Sequence, residues 1–459
     1  MSTVDLHLIE ENWHYYNGNL FDFWIGIKPD TQTEEGQALA DDIYRMFQEI
    51  NVISEVVTRH ADALLGRDPT ASFNVGNSNL NESELQSANI AIADYLARTL
   101  GTPVGNFDFP DPIYESLLNL LVGGVSYLRA TTVDGTVYLH CPPVESVKVV
   151  TRDAIGRPRK IEYYYVEEDK KLIETQYLNE TRQTVFEYYE LGEQNPYYTF
   201  SINLGGRLTI TEGKRRPFIT TSMKTAQNAI NHAATLIPRN NQISGFVSRI
   251  FLNAKLPGEF QTDERTGKRV FIKDPEAIVI APGMLNFISG VAIKDEQGLT
   301  RGYTSPTVHT EQPIEIKTFV DAATFSLGTI YSQANQSHLL ASDLTLSGRS
   351  RQELRNDFVI ALLKDSKRLQ DFYSNAFFGA YLLDRYYQGQ DNTEHSKLVL
   401  NFIVNANPGQ LLPEERQQII STYQAGLLSK ETAIALLAYT DSPIAELEKI
   451  RLESNSNNA

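Results

Sequence analysis

Residues 350–388, SRQELRNDFVIALLKDSKRLQDFYSNAFFGAYLLDRYYQ, hold one apolar stripe from end to end. Leu354, Phe358, Leu362, Leu369, Phe372, Ala376, Leu383 and Tyr387 recur at helical spacing. At 1.5 Å per residue the predicted helix, Ser350 to about Gln388, is roughly 58 Å long. It is the longest periodic pattern in the chain, and few single-domain enzymes need such a rod.

On its N-terminal side lies a polar loop, Asn335 to Gly348. A helix from Ile314 to about Gln333 precedes the loop and opens at Pro313, a residue suited to a first helical turn. Before that, Leu256 to about Thr307 turns to short strands broken by Pro257, Gly267, Pro275, Pro282-Gly283 and Gly298. Thr221 to Lys255 is predicted as a helix with a break at Pro238. On the C-terminal side, a strand at Leu398–Val404 leads through Asn407-Pro408-Gly409 to helices Pro413–Ala425 and Lys430–Ala438, a turn from Pro443 and a frayed polar tail.

The first 220 residues read differently. Helical patterns cover Gln37–Gly66, Glu82–Leu100 (with Asn81 as cap and Gly101 as stop) and a stretch after Pro112. From about Ser126 the period falls to two, in β-branched and tyrosine-rich runs such as SYLRATT, KIEYYYV and TVFEYYEL. Gly192 to Arg216 is poorly periodic and reads as a connector.

A chain of 459 residues is too long for one ordinary core, so two to four units are expected. Its 41 basic and 57 acidic residues give a net charge of −16, which argues against a protein that coats nucleic acid. Half of that charge sits in the first sixty residues, with eleven acids and three bases. The single Cys141 excludes a disulfide framework and cysteine-rich metal sites, and fits a reducing compartment. The N-terminus lacks the pattern of a signal peptide. The most apolar run, Leu117 to Leu128, is well short of the ~20 residues a membrane span needs.

No motif requires catalysis, a metal or a cofactor. Gly258 to Gly267-Lys268-Arg269 has the wrong spacing for a phosphate-binding loop and lacks its Ser/Thr. The eight histidines are scattered, with no pair at metal-ligand spacing. His140 and Cys141 are adjacent on a predicted strand and so point to opposite faces, which makes a half-buried thiol the better reading. The acid pairs Glu34-Glu35 and Asp41-Asp42 suit the start of a helix, where the dipole favours them.

Charge layout is more informative. Between Glu212 and Glu259 there is no acid, yet seven bases occur: Lys214, Arg215, Arg216, Lys224, Arg239, Arg249 and Lys255. One reading is a helix packed against an acidic neighbour. The other is a helix beside polyanion, its sparse charges steering without gripping.

The order of these elements, taken with several local patterns, resembles the portal protein of tailed double-stranded DNA bacteriophages. Tyr15-Tyr16-Asn17-Gly18-Asn19 is similar to that family's opening, and Arg152-Asp153, Gly156 and Ile161-Glu162-Tyr163-Tyr164 to its wing strands. Leu346-Ser347-Gly348-Arg349-Ser350 resembles the stretch ahead of its long helix. The most specific likeness is Gly426-Leu427-Leu428-Ser429-Lys430-Glu431-Thr432-Ala433, followed by Asp441 and Glu446-Leu447-Glu448-Lys449-Ile450, which is similar to the closing helices.

The resemblance implies an α+β portal fold of wing, stem, clip and crown, with two stem helices, a small α/β clip and a very long wing helix. Carried over, residues 1–220 are wing, 221–255 the first stem helix, 256–310 the clip, and 311–334 the second stem helix. Residues 335–349 are then the tunnel loop, 350–411 the long wing helix and return strand, and 412–459 crown helices with a disordered tail.

It implies a non-enzymatic ring, usually dodecameric, at one vertex of the capsid and assembled in the host bacterial cytoplasm. Its implied partners are duplex DNA passing through the channel during packaging and ejection, the terminase large subunit, a head–tail adaptor, and the capsid and scaffold proteins. No membrane is involved. Candidate channel residues are Lys224, Arg239, Arg249, Ser337, His338, Asp343, Thr345 and Arg349; candidate clip contacts are Arg265, Lys268, Arg269 and Lys273. In a closed ring each of these becomes a ring of equivalents, so sparse positive charge stands out against an acidic background. Another head–tail connector or baseplate protein is the alternative reading; the packaging ATPase is disfavoured by the missing phosphate loop.

Overall fold

The computed structural model describes residues 5–26, 30–101, 111–245, 249–253, 258–262, 269–273, 290–310, 315–340, 348–406, 413–437 and 450. The chain divides into two units. Met1–Trp24, Glu49–Ala229 and Phe325–Ala459 make the larger; Ile25–Gln48 and Ile230–Thr324 make the smaller.

The acidic opening forms α1 (Leu6–Asn17), α2 (Glu34–Met46) and α3 (Val52–Leu64). The single helix expected over Gln37–Gly66 is therefore two. Asn51 is the reason on the residue scale: its side-chain oxygen accepts the Ser54 N–H at 3.0 Å and starts α3 afresh. The interruption also falls where the chain passes from the smaller unit to the larger. Next come β1 (Thr70–Asn74), α4 (Glu82–Gly101) and α5 (Pro112–Gly123). Asn81 caps α4 as expected. It accepts the Glu84 N–H while Glu84 accepts the Asn81 N–H, both at 2.9 Å.

The tyrosine-rich block gives β2 (Val125–Val133), β3 (Thr136–His140), β4 (Val147–Arg152), β5 (Pro158–Glu167), β6 (Lys170–Leu178) and β7 (Thr184–Glu190). The expected connector, Gly192 to Arg216, holds two further strands, β8 (Tyr198–Ile202) and β9 (Ile210–Lys214). They are too short for periodicity to reveal, and pairing with distant strands defines them. β8 completes an antiparallel sheet of order β4-β5-β6-β7-β8, and β9 pairs with β2 in the sheet β3-β2-β9. Val125, Tyr127, Val147, Ile161, Leu208 and Ile210 fill the core between these sheets. Gly124, with φ at +80°, makes the turn from α5 into β2.

α6 (Thr221–Gly245) contributes residues to both units. Pro238 lies within it without ending it. The helix does not reach Lys255, because residues 249–252 form a strand. That strand, β10 (Arg249–Leu252), is followed by β11 (Gly258–Thr262), β12 (Arg269–Lys273), β13 (Ala292–Lys294), β14 (Thr300–Tyr303) and β15 (Thr307–Thr310). They pair two by two: β10 with β15, β11 with β12, β13 with β14. The described residues between 256 and 310 are strands and turns, where a small α/β region was expected.

α7 (Ile316–Gln333) and α8 (Gly348–Tyr387) follow, close to the bounds predicted from periodicity. α8 has 40 residues, which at 1.5 Å each is about 60 Å. Its stripe faces α3, α4, β2 and β9, and Gly213 of β9 comes so close that an added Cβ would meet the Phe372 ring at 3.0 Å. β16 (Val399–Ile403) returns to pair with β1. α9 (Pro413–Gln424) and α10 (Lys430–Leu437) close the described chain apart from residue 450. The polar tail and the turn expected from Pro443 otherwise lie outside the described residues.

Candidate functional site

The root of the loop between α7 and α8 is built in the larger unit. Ser337–Leu339 form a short 3-10 turn. The turn is tied to α3 from both sides. Tyr331 donates its hydroxyl to Glu55 at 3.2 Å, and the Gln336 amide, wholly buried, donates to the Val56 carbonyl at 2.8 Å. His338 packs on Phe358 of α8, ring centroids 5.5 Å apart, and Phe358 in turn lies 5.9 Å from His60 of α3.

Beneath that stack is a buried charge centre. His60 Nε2 stands 3.0 Å from Asp365 Oδ2, and Arg215 reaches the same oxygen at 3.1 Å. Arg368, one turn along α8, approaches the other oxygen at 3.5 Å. Burial lowers the His60 pKa and outweighs the pull of Asp365, so the imidazole is neutral and donates its Nε2 proton. Burial works against the Asp365 charge too, but the His60 hydrogen bond and the Arg215 charge win, holding it below the ordinary carboxylate range. A single carboxylate therefore joins α3, α8 and the lead into α6.

α6 itself carries a buried polar row at helical spacing: Lys224, Gln227, Asn231 and Thr235. Lys224 forms an ion pair with Glu11 of α1 at 2.7 Å and lies 5.4 Å from the centre of the Tyr15 ring. Gln227 caps α3 from a distance, its Oε1 accepting the N–H groups of Val52 and Ile53 at 2.9 and 3.2 Å while its amide donates to the Ile50 carbonyl. The acid-free stretch is thus partly a helix among acidic neighbours. Lys214 pairs with Glu212, Arg215 with Asp365 and Lys224 with Glu11.

The expected channel residues fare unequally. Lys224 is buried and paired with Glu11. Arg239 is half-buried on α6. Arg249 lies on β10 opposite Thr310, not on a helix. Ser337 and His338 are half-buried at the loop root, and Arg349 is in the first turn of α8. Asp343 and Thr345 lie outside the described residues, as do Arg265 and Lys268. Arg269 and Lys273 are the two ends of β12, opposite Thr262 and Gly258.

Asp365, His60, Glu11 and Gln336 were not foreseen. One signal was present: Asp365 interrupts the apolar stripe of α8 between Leu362 and Leu369, where a charge needs a buried partner.

Cys141 is buried, its thiol pushed up to about 11 by burial, with Asn119 donating to its sulfur at 3.2 Å. His140 is instead beside Arg129 and the Tyr163 ring, and burial with the Arg129 charge brings it down to about 4. The two do not form a pair. Among the described residues no group of three His, Cys, Asp or Glu could hold a metal ion, and no helix is long and apolar enough to cross a membrane.

α7 has an unusual surface. Its first half is exposed nearly all round, with Ile316 at 42 %, Val320 at 46 % and Phe325 at 79 % of full exposure. At 100° per residue, Val320 lies about 40° from Ile316, and Phe325 about 180° from it. Apolar side chains thus occupy opposite sides of one helix.

No family model matches the chain, and no curated protein matches it. Among solved structures it is similar to a chain from the neck of an empty gene transfer agent particle with C6 symmetry, at 14 % identity over 90 % of this chain and 96 % of that one, TM-score 0.40. A chain from the native particle's neck, with C12 symmetry, matches at 13 % identity over 84 % and 89 %, TM-score 0.38. An HK97-family phage portal protein from Corynebacterium diphtheriae matches at 10 % identity over 77 % and 93 %, TM-score 0.33. Scores of this size do not establish a common fold.

Proposed function

We propose that the chain is a structural subunit of a portal ring, the channel and docking platform at one vertex of a phage capsid. The observation that carries this reading is α7. In the single chain α7 leaves apolar groups uncovered on opposite sides, and a helix standing between two copies in a closed ring would cover both. Leaving Phe325 in water forgoes roughly 2–3 kcal/mol that burial would give. The element order and the motifs at 15–19, 346–350 and 426–450 support the same reading.

On it, residues 1–220 and 350–411 are the wing, α6 and α7 the stem, 256–310 the clip, 335–349 the tunnel loop and 412–459 the crown. The clip would meet the terminase large subunit and later the head–tail adaptor, and the wing would meet capsid and scaffold proteins. The anchored root at Gln336 and His338 would hold the tunnel loop firm at its base while DNA passes. The proposed role is conduction and docking. Native mass spectrometry with negative-stain imaging of the purified chain, with and without scaffold protein, tests it. Rings of about a dozen copies with a central channel are expected; a chain that stays monomeric in both conditions overturns the reading.

A further inference from the structure

Two surfaces of the larger unit carry opposite charge. The first is the open end of the five-stranded sheet. Tyr188 sits among Tyr197, Tyr198 and Phe200, with ring centroids 6.1–6.3 Å away. Tyr197 and Tyr198 are 59 % and 57 % exposed on the edge strand and its approach. The adjoining turns are acidic: Glu167, Glu168, Asp169 and Glu193 are exposed, against Lys171, while Lys170 and Glu190 pair with each other at 2.9 Å.

The second surface is the outer face of α8 beside the end of β9. Lys364, Lys367 and Arg368 are exposed there with the apolar Ile360 and Leu363 between them, and Lys214 and Arg216 are exposed nearby. Lys214, Arg215 and Arg368 border one small cavity of about 30 Å3 with Asp365, which places the two groups of bases together. Exposed acids on this face of α8 are Asp357 and Asp371, so the surface is net basic in a chain of net charge −16.

We infer that the acidic, tyrosine-rich sheet tip of one copy docks on the basic face of α8 in the next copy. This rests on the ring reading. A closed ring of more than two copies is heterologous: each copy presents two different surfaces, and these must complement each other. The tip and the basic face have opposite charge, and each carries apolar matter, tyrosine rings on one and Ile360 and Leu363 on the other. Lys and Arg side chains also sit well on tyrosine faces.

Charge reversal tests the inference on the full chain. Glu167→Lys with Glu168→Lys, and separately Lys364→Glu with Lys367→Glu, should each raise the concentration for half-assembly at least about tenfold at low salt, with a smaller effect at high salt. All four changes in one chain should restore assembly, because every interface then has both reversed sides. Sedimentation velocity reads assembly, and circular dichroism confirms that each variant is folded. If wild-type chain forms rings and either reversal leaves them unchanged, the docking inference falls and the ring reading stands. Failure of wild-type chain to assemble even with scaffold removes the ring reading first. If the α8 reversal abolishes binding of a short DNA duplex and spares assembly, the basic face is a nucleic-acid surface and the inference is wrong.

Discussion

Asp365 is the residue on which the described site turns, since its carboxylate answers both Arg215 and His60 in the interior. Asp365→Asn leaves the guanidinium without its counter-charge in a buried setting, and a loss of about 3–5 kcal/mol is expected in urea unfolding. The pH dependence has a definite sign. His60 and His140 both have pKa values lowered by burial, so their neutral forms stabilise the fold above the unfolded value of about 6.5, and that stability drains as pH falls toward the folded values. Asp365, held low, adds a further loss below the unfolded carboxylate value of about 4, as pH falls through its folded pKa. His140→Gln should therefore flatten the decline of the unfolding midpoint between about pH 6.5 and 4, which a urea series at stepped pH measures. Lys224 belongs to the same scale. Sequence alone offered it as a channel cation; in the structure it is buried and pairs with Glu11. Lys224→Met should cost about 1–3 kcal/mol, less than a fully buried pair because Glu11 is partly solvated, and Lys224→Asp more.

At the scale of elements, side chains from distant parts of the chain finish what local sequence begins. α3 has its own cap in Asn51, yet its first two N–H groups are answered by Gln227 of α6. Gln227→Leu is expected to cost about 2–3 kcal/mol by stranding those donors, whereas Asn51→Ala should cost about 1 kcal/mol. Chemical denaturation of the two variants side by side checks the order. α8 was legible because its apolar stripe runs unbroken but for Asp365, and α4 because its capping box is a local signal. β8 and β9 were not legible: five residues each give period-two patterning too little length, and only their partners β7 and β2 make them strands. The end of α6 was missed for a similar reason. Residues 249–252 pair with 307–310, some sixty residues on, and no local signal reports that.

For the whole molecule, the exposed α7 is where a single chain stops being sufficient. Phe325→Asp should leave the far-ultraviolet circular dichroism of the chain unchanged and abolish assembly into rings, read by native mass spectrometry; rings of unchanged mass would detach α7 from the interface. What the sequence by itself determined was the order of the helices from α4 onward, the length of α8 and the motifs that resemble those of portal proteins. Each depends on neighbours along the chain, through periodicity, caps and short spacings. Tertiary structure alone decided which charges are available. Lys224 and Arg215 look alike in sequence to Arg216 and Arg239, yet the first two have carboxylate partners supplied by α1 and α8. Coulomb energy depends on distance in space and on burial, and neither can be read from position along the chain.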